Sequence, residues 1–406
     1  MSLKWNITSW MNISGRVKYD KSYDRYEKKF DASTNTLFAS KYGHYMLRHL
    51  ENRQLYADAL LSINKYFLKD TWSLTANIGT SFDQRDNDDD SFDGNLKGVA
   101  NLFTVSNVAT AEATTKFHQS GKTTRLESFY GNAQIGYKGK AYIDLTARND
   151  WSSKIKKPFF YFSTGLSGIM TEIFPRIKSD IMPYFKTRIS YSEVGNDPDE
   201  AFLTSLTFPM GNTYPETSTR KPNLNLMPER TKSWEAGLDF VFFKNQLKVN
   251  ATFYKSSTYN QFFTVTKTAT SGYKDEVVNG GRVDNKGIEL KATFNQKLGP
   301  VDWETYMTWT LNRNTIKEML HNTVDKDGDV FSLPEIDLPG GTGSYKMKLT
   351  EGGSLSDIYV NTLRTDEHGA IYVDPVSQKV VAQPNTYIKA GSAAPKYNLG
   401  WGNNFS

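Results

Sequence analysis

The clearest pattern in the chain lies between Pro228 and Phe294, where apolar and polar residues alternate with a period of two. Trp234, Ala236, Leu238, Phe240 and Phe242 take one phase, and Ser233, Glu235, Gly237 and Asp239 take the other. After Lys244-Asn245-Gln246 the alternation resumes, with Leu247, Val249, Ala251 and Phe253 set against Lys248, Asn250 and Thr252. A third run places Ile288, Leu290, Ala292 and Phe294 opposite Glu289, Lys291 and Thr293. Successive side chains of a strand point to opposite faces, so each run predicts a β-strand with one apolar and one wet face. Globular strands average about 5–6 residues. Runs this long, with charge on the wet face, fit a transmembrane strand of roughly 9–11 residues better.

Similar runs recur along the chain. The first strand is predicted from Trp5 to Tyr19, with Met11, Ile13, Val17 and Tyr19 opposite Asn12, Ser14, Arg16 and Lys18. A second ends at Phe67, and a third starts at Trp72 with Leu74, Ala76 and Ile78 in phase. Phe129 to Tyr137, Ala141 to Ala147, Phe159 to Thr171 and Tyr184 to Glu193 follow. Val301, Trp303, Met307, Trp309 and Leu311 give the cleanest run, and the last strand lies in 396–406. The total is about twelve strands.

The connections between them alternate in length. Short ones fall at 68–71, 138–140, 174–182, 244–246 and 296–300. The others fall at 20–42, 83–122, 152–158, 196–230, 257–282 and 316–395, all long except 152–158. Short turns at one end and long loops at the other characterise an up-and-down outer-membrane barrel. Trp72, Trp151, Trp234 and Trp303 sit at strand ends, where amphipathic rings anchor at an interface. The expected fold is therefore all-β: an antiparallel up-and-down transmembrane β-barrel segment.

Composition agrees with this reading. The chain has 406 residues, no cysteine, 23 Tyr and 24 Phe. Mean hydropathy is −0.57. No run of about 18 apolar residues is present, so a transmembrane helix is not available. Lumen and loop residues dilute the lipid-facing ones in a barrel, so a polar average is expected. The absence of cysteine excludes thiolate chemistry. The net charge of +5 is scattered and contains no basic block suited to nucleic acid. Met1 leads straight into strand pattern without an export signal, so the chain reads as a fragment of a longer barrel protein.

Candidate chemistry is sparse. His44 and His49 are five apart on a strand, hence on opposite faces, and do not form a metal pair. Ser120-Gly121-Lys122-Thr123 lacks the first glycine and the strand-to-helix context of a phosphate loop. Asp325 to Asp329 has calcium-loop spacing at its start, but Val330 and Ile336 stand where glycine and glutamate are required. Asp86 to Asp93 contains five Asp, a composition open to a structural Ca²⁺ or to a solvated acidic loop, and the second reading is simpler. No other cofactor is expected. G-x-S-x-G and H-E-x-x-H are absent, and the chain does not read as an enzyme.

Several stretches resemble the SusC/RagA-type TonB-dependent outer-membrane transporters. They are 148–153 (RNDWSS), 228–231 (PERT) running into 234–239 (WEAGLD), 283–290 (VDNKGIEL), 351–355 (EGGSL) and 391–406. The resemblance implies part of a 22-stranded barrel whose lumen holds a plug, with residues 1–406 lacking the plug domain, the TonB box and the closing strands. It implies import of a glycan or peptide, a SusD-like lipoprotein partner, TonB-ExbB-ExbD acting through the missing plug, and an outer-membrane location without nucleic acid. A passive porin-like or adhesin barrel shares the strand pattern. A soluble secreted carbohydrate-binding β protein fits less well, because its strands would be shorter.

The shared phase assigns Ala236, Leu238, Ala251, Leu290 and Trp309 to the lipid-facing wall, and Asp239, Asn250, Glu289 and Thr308 to the lumen. Residues 196–230 carry Phe202, Phe208, Tyr214 and prolines 198, 209, 215, 222 and 228. That segment is expected to be an extracellular loop placed to contact substrate or a lid lipoprotein.

Overall fold

A computed structural model describes residues 1–208, 217–267, 269–324, 330–338 and 341–406. The strands are β1 (Ser2–Thr8), β2 (Met11–Phe30), β3 (His44–Phe67), β4 (Trp72–Asn95), β5 (Lys116–Tyr137), β6 (Ala141–Ser152) and β7 (Phe159–Ile169). A four-residue helix, α1 (Met170–Ile173), precedes β8 (Tyr184–Asn196). Then come β9 (Arg220–Lys221), β10 (Glu229–Phe242), β11 (Leu247–Thr266), β12 (Asp275–Leu298) and β13 (Val301–Glu318). Short strands follow: β14 (Leu320–Val324), β15 (Val330–Leu333), β16 (Glu335–Asp337), β17 (Tyr345–Thr350), β18 (Asp357–Leu363) and β19 (Ala382–Ser392), before β20 (Asn398–Phe405).

One 14-stranded sheet dominates the molecule. Its order follows the chain through β8, continues from β10 to β13, and ends on β20; β9 adds alongside β12. Neighbours in that path pair antiparallel, as the up-and-down expectation requires. The connections at one end are short. Leu298 pairs with Val301 across a two-residue turn, and Gly299 takes a φ of 63° there, a conformation open to glycine at little cost.

Register gives the sheet two unlike faces. Leu74, Ile135, Ile143, Leu166, Ile189, Ala236, Phe253, Ile288 and Leu311 are successive cross-strand neighbours and make an apolar row. The next row, one residue away, reads Thr75, Gln134, Asp144, Gly165, Ser190, Glu235, Tyr254, Gly287 and Asn312. A slip of one residue in any strand would put charges into the apolar row, which pins the register. The apolar face stays open: Leu166 is 54% exposed and Ile189 49%.

Three sequence expectations change. The predicted strand from Trp5 to Tyr19 is two strands, since β1 folds back at Ser9-Trp10 to pair Trp5 with Ile13. Alternation continues through that turn, so the pattern alone hides it. The stretches 20–42, 83–122 and 257–282, expected as loops, are strand over about half their length or more, because β2 to β5 and β11 to β12 run far past the apolar band. Backbone pairing needs no apolar face, and charges answer one another across the strands instead. Arg48 pairs with Asp89 and Arg53 with Asp88, each at 2.5 Å. Within 316–395, expected as one excursion, β16 to β19 form their own four-stranded sheet, and β14 pairs with β15.

The buried apolar residues gather at the long-connection end. Phe263, Val265, Val278, Val283, Ile316, Met319 and Leu320 form one cluster, against which Leu333, Ile336 and Leu349 of the excursion pack. Ile155, Phe159, Leu203, Leu226 and Val277 form a second, under the connection between β8 and β10. Tyr45, Phe92, Leu96 and Val108 cap the tips of β3 and β4.

Candidate functional site

The pairing places Ala236, Leu238, Ala251, Leu290 and Trp309 on the apolar face, where Leu238, Ala251, Leu290 and Trp309 are direct neighbours in one row. Asp239, Asn250, Glu289 and Thr308 occupy the polar face. Trp72, Trp151, Trp234 and Trp303 share the apolar face. Trp72 and Trp303 lie beside the short turns, while Trp151 and Trp234 lie nearer the other end. Rings flank them at both levels. Trp72 meets Tyr137 with centroids 4.8 Å apart, Phe185 stacks on Phe240 at 4.4 Å, and Tyr191 meets Trp234 at 4.8 Å.

The polar face is a hydrogen-bonded wall rather than a scatter of charges. Arg188 of β8 donates to Asp239 at 2.8 Å and to Thr252 Oγ1 at 2.7 Å, and Asn250 donates to Asp239 at 2.7 Å. Arg148 reaches Asp150 at 2.8 Å and Ser128 at 2.7 Å, while the Tyr161 hydroxyl donates to the second Asp150 oxygen at 2.7 Å. Arg16 holds Asp58 at 2.9 Å. Asp58 and Asp150 are both buried, and a buried carboxylate of this kind requires such partners. Alternation in the sequence singles out Asp239 and Asn250, but not Arg188. The missing information is register, which decides which base faces which acid.

Polarity inverts toward the long-connection end. On the phase that is apolar lower down, Lys21 pairs with Glu51 at 2.8 Å and Arg53 with Asp88. On the phase that is polar lower down, Phe159, Val283 and Ile316 become buried. The connections cover them. Asn223 donates to Val277 O at 2.9 Å, and Asn279 accepts from Met227 N at 2.7 Å and donates to Met227 O at 2.8 Å. Residues 217–228 are thus fastened over β12, and Pro209, Tyr214 and Pro215 lie outside the described residues.

The five Asp of Asp86 to Asp93 lie on strand β4 and divide between its faces, Asp86, Asp88 and Asp90 on one and Asp89 and Asp93 on the other. Arg48 holds the Asp89 carboxyl below its usual range, and the Thr123 hydroxyl followed by the Gln84 amide does the same for Asp86. Among the described residues, no three His, Cys, Asp or Glu gather as a metal site would require. Asp325 to Asp329 lie outside the described residues. One face of the sheet thus presents fixed donors and acceptors, and the other is apolar and open.

A family model for the TonB dependent receptor-like beta-barrel matches residues 2–380. "TonB-dependent receptor P3" of Formosa agariphila is 24% identical over 349 residues, which cover 82% of this chain and 33% of that protein. "TonB-dependent receptor SusC" of Bacteroides thetaiotaomicron is 26% identical over 298 residues, or 66% of this chain and 29% of that one. The chain therefore spans about a third or less of these curated relatives. The solved RagAB peptide transporter superposes with a TM-score of 0.78 at 18% identity, covering 99% of this chain and 44% of the chain compared. At that identity the likeness is one of fold.

Proposed function

Because the chain belongs to the TonB dependent receptor-like β-barrel family, we propose that it builds one wall of an outer-membrane barrel that imports a nutrient. The observation that carries this reading is the two-faced register. A continuous exposed apolar band has no stable home in water, and the opposite face carries an ordered set of bases, acids and amides. The full barrel closes through further strands, holds a plug in its lumen and is driven by TonB-ExbB-ExbD. A SusD-like lipoprotein caps the end where the long connections fold inward. The cargo is a glycan or a peptide, whose hydroxyl or amide groups exchange water for the fixed donors and acceptors of the polar face. The family is one of receptors and transporters rather than enzymes, and the polar wall acts by binding and guiding.

The experiment is deletion of the gene and, separately, of TonB, followed by uptake and growth on a panel of polysaccharides and peptide mixtures. Loss of the same substrate class in both deletions is expected. Uptake that survives without TonB would favour a passive porin-like barrel. Unchanged uptake with lost surface attachment would favour an adhesin.

A further inference from the structure

Near the short turns, the apolar face of β4 to β8 is hollow. Ala141, Gly168 and Thr187 are cross-strand neighbours on β6, β7 and β8. The side chains of Ala141 and Thr187 are small and a cavity of about 530 Å³ opens beside them, while the position over Gly168 is taken by Met170 and Ile173. Trp72 and Tyr137 wall one side, and Met170 and Ile173 of α1 border it below.

The turns around it are basic. Lys138 and Lys140 belong to the β5–β6 turn, and Arg176 and Lys178 to the β7–β8 connection, against Glu172 and Asp180. Lys178 already holds Glu172 at 2.7 Å, and Lys140 donates to the Glu172 carbonyl at 2.8 Å. Lys138 stands 5.3 Å over the Tyr137 ring, at the edge of the cavity. Among the described residues, neither Lys138 nor Arg176 has an anionic partner. The same connection exposes Phe174 and Ile181, bulky apolar residues flanking the charges. An apolar hollow beneath unpaired cations, with apolar residues beside them, matches one ligand chemistry: an acyl chain bearing a phosphate.

We propose that this hollow seats one anionic glycerophospholipid of the leaflet at the short-turn end. An acyl chain fills the space over Ala141 and Thr187 and lies against Met170 and Ile173, and the phosphate sits at the basic turns that carry Lys138 and Arg176. Placing a cation near an anionic headgroup is favourable. The proposal rests on the reading that the apolar face meets lipid.

The test is native mass spectrometry of the protein extracted from outer membranes in mild detergent, titrated with palmitoyl-oleoyl phosphatidylglycerol or phosphatidylethanolamine. One phosphatidylglycerol is expected to stay bound after loosely held lipid is stripped. Ala141→Trp fills the hollow and should abolish that adduct. Lys138→Ala with Arg176→Ala, both on exposed turns, should weaken phosphatidylglycerol retention by about tenfold while leaving phosphatidylethanolamine unchanged. Heat-modifiable gel mobility reports whether each variant folds, and if Ala141→Trp does not, the turn variant decides alone. Equal retention of both lipids by the wild type, or no loss in the turn variant, would overturn the seat. Either result would leave the lipid-facing reading intact, whereas a protein retaining no lipid of any kind would count against both.

Discussion

The Arg188 guanidinium lies over the bare Cα of Gly237, its cross-strand partner, and a methyl group at 237 would overlap it. Only glycine lets the arginine lie flat along the sheet and reach Asp239, two residues further along β10. Tyr254 crosses Gly287 in the same way on the neighbouring pair of strands. These large-over-small pairs keep the polar wall thin and ordered, because the long side chain is steered sideways along the sheet instead of out from it.

Gly237→Ala should therefore displace Arg188 and destabilise the fold by about 1–3 kcal/mol, as overpacking does. Arg188→Ala should cost about as much, because Asp239 loses its main donor. Urea unfolding in detergent, followed by tryptophan fluorescence, measures both. If the two effects add fully in the double variant, the contact is not the cause.

Leu290 and Glu289 are adjacent in β12 but face opposite ways. Leu290→Arg should cost ~2–4 kcal/mol of folding stability in lipid, and Glu289→Arg much less. Equal tolerance in a vesicle refolding assay would reverse or erase the assignment of faces.

The charged extension of β2 to β5 should loosen in acid. Hydrogen bonds from Arg48 to Asp89, and from Thr123 and Gln84 to Asp86, hold both carboxyls below their usual values in the folded state. Their contribution is fully present above the unfolded aspartate value of about 3.9 and is lost as pH falls through the folded values. Hydrogen exchange in 83–125 should rise under acid while the apolar band stays protected. Asp89→Asn should flatten part of that dependence, and an unchanged profile would count against it.

Asn279 fastens 217–228 through two hydrogen bonds to Met227, and a third, to Asn260 O at 2.9 Å, ties the same amide to β11. Asn279→Ala should speed hydrogen exchange in 217–228 by an amount corresponding to about 1–3 kcal/mol, with little change in global unfolding. Deleting 203–215 in the protein should weaken uptake or capture of the lipoprotein partner. Both remaining unchanged would reject a contact role for this segment.

Glu229 should show the opposite pH behaviour. Burial raises its carboxyl above the ordinary glutamate value, more than its amide neighbours Asn196 and Gln261 lower it. The folded state keeps this proton longer than the unfolded chain does, so its contribution to stability declines as pH rises through the glutamate range. Glu229→Gln should raise the melting temperature at neutral pH and leave it unchanged in acid, as differential scanning fluorimetry can measure.

Much of this architecture is written in the sequence by itself, because strand phase is a local property. Trp234 to Phe242 and Ile288 to Phe294 announce their faces through period-two alternation, and the brief polar breaks between runs announce the short turns. Those signals suffice for the antiparallel up-and-down sheet and for the family resemblance, which the match over residues 2–380 bears out. Other features depend on contacts between residues distant in the chain. Arg188 and Asp239 are separated by 51 positions, and nothing near either one names the other. Asp83 to Asp93 looks like a loop because its acids spoil the alternation, yet bases on β3 and hydroxyls on β5 complete the ladder there. Leu203 and Leu226 of the β8–β10 connection, and Leu333, Ile336 and Leu349 of the later excursion, cover Phe159, Val283 and Ile316, and so reverse the polarity that the strands carry lower down. Local alternation sets which way each side chain points. Only the docking of distant segments decides whether it meets water, another charge or a covered core.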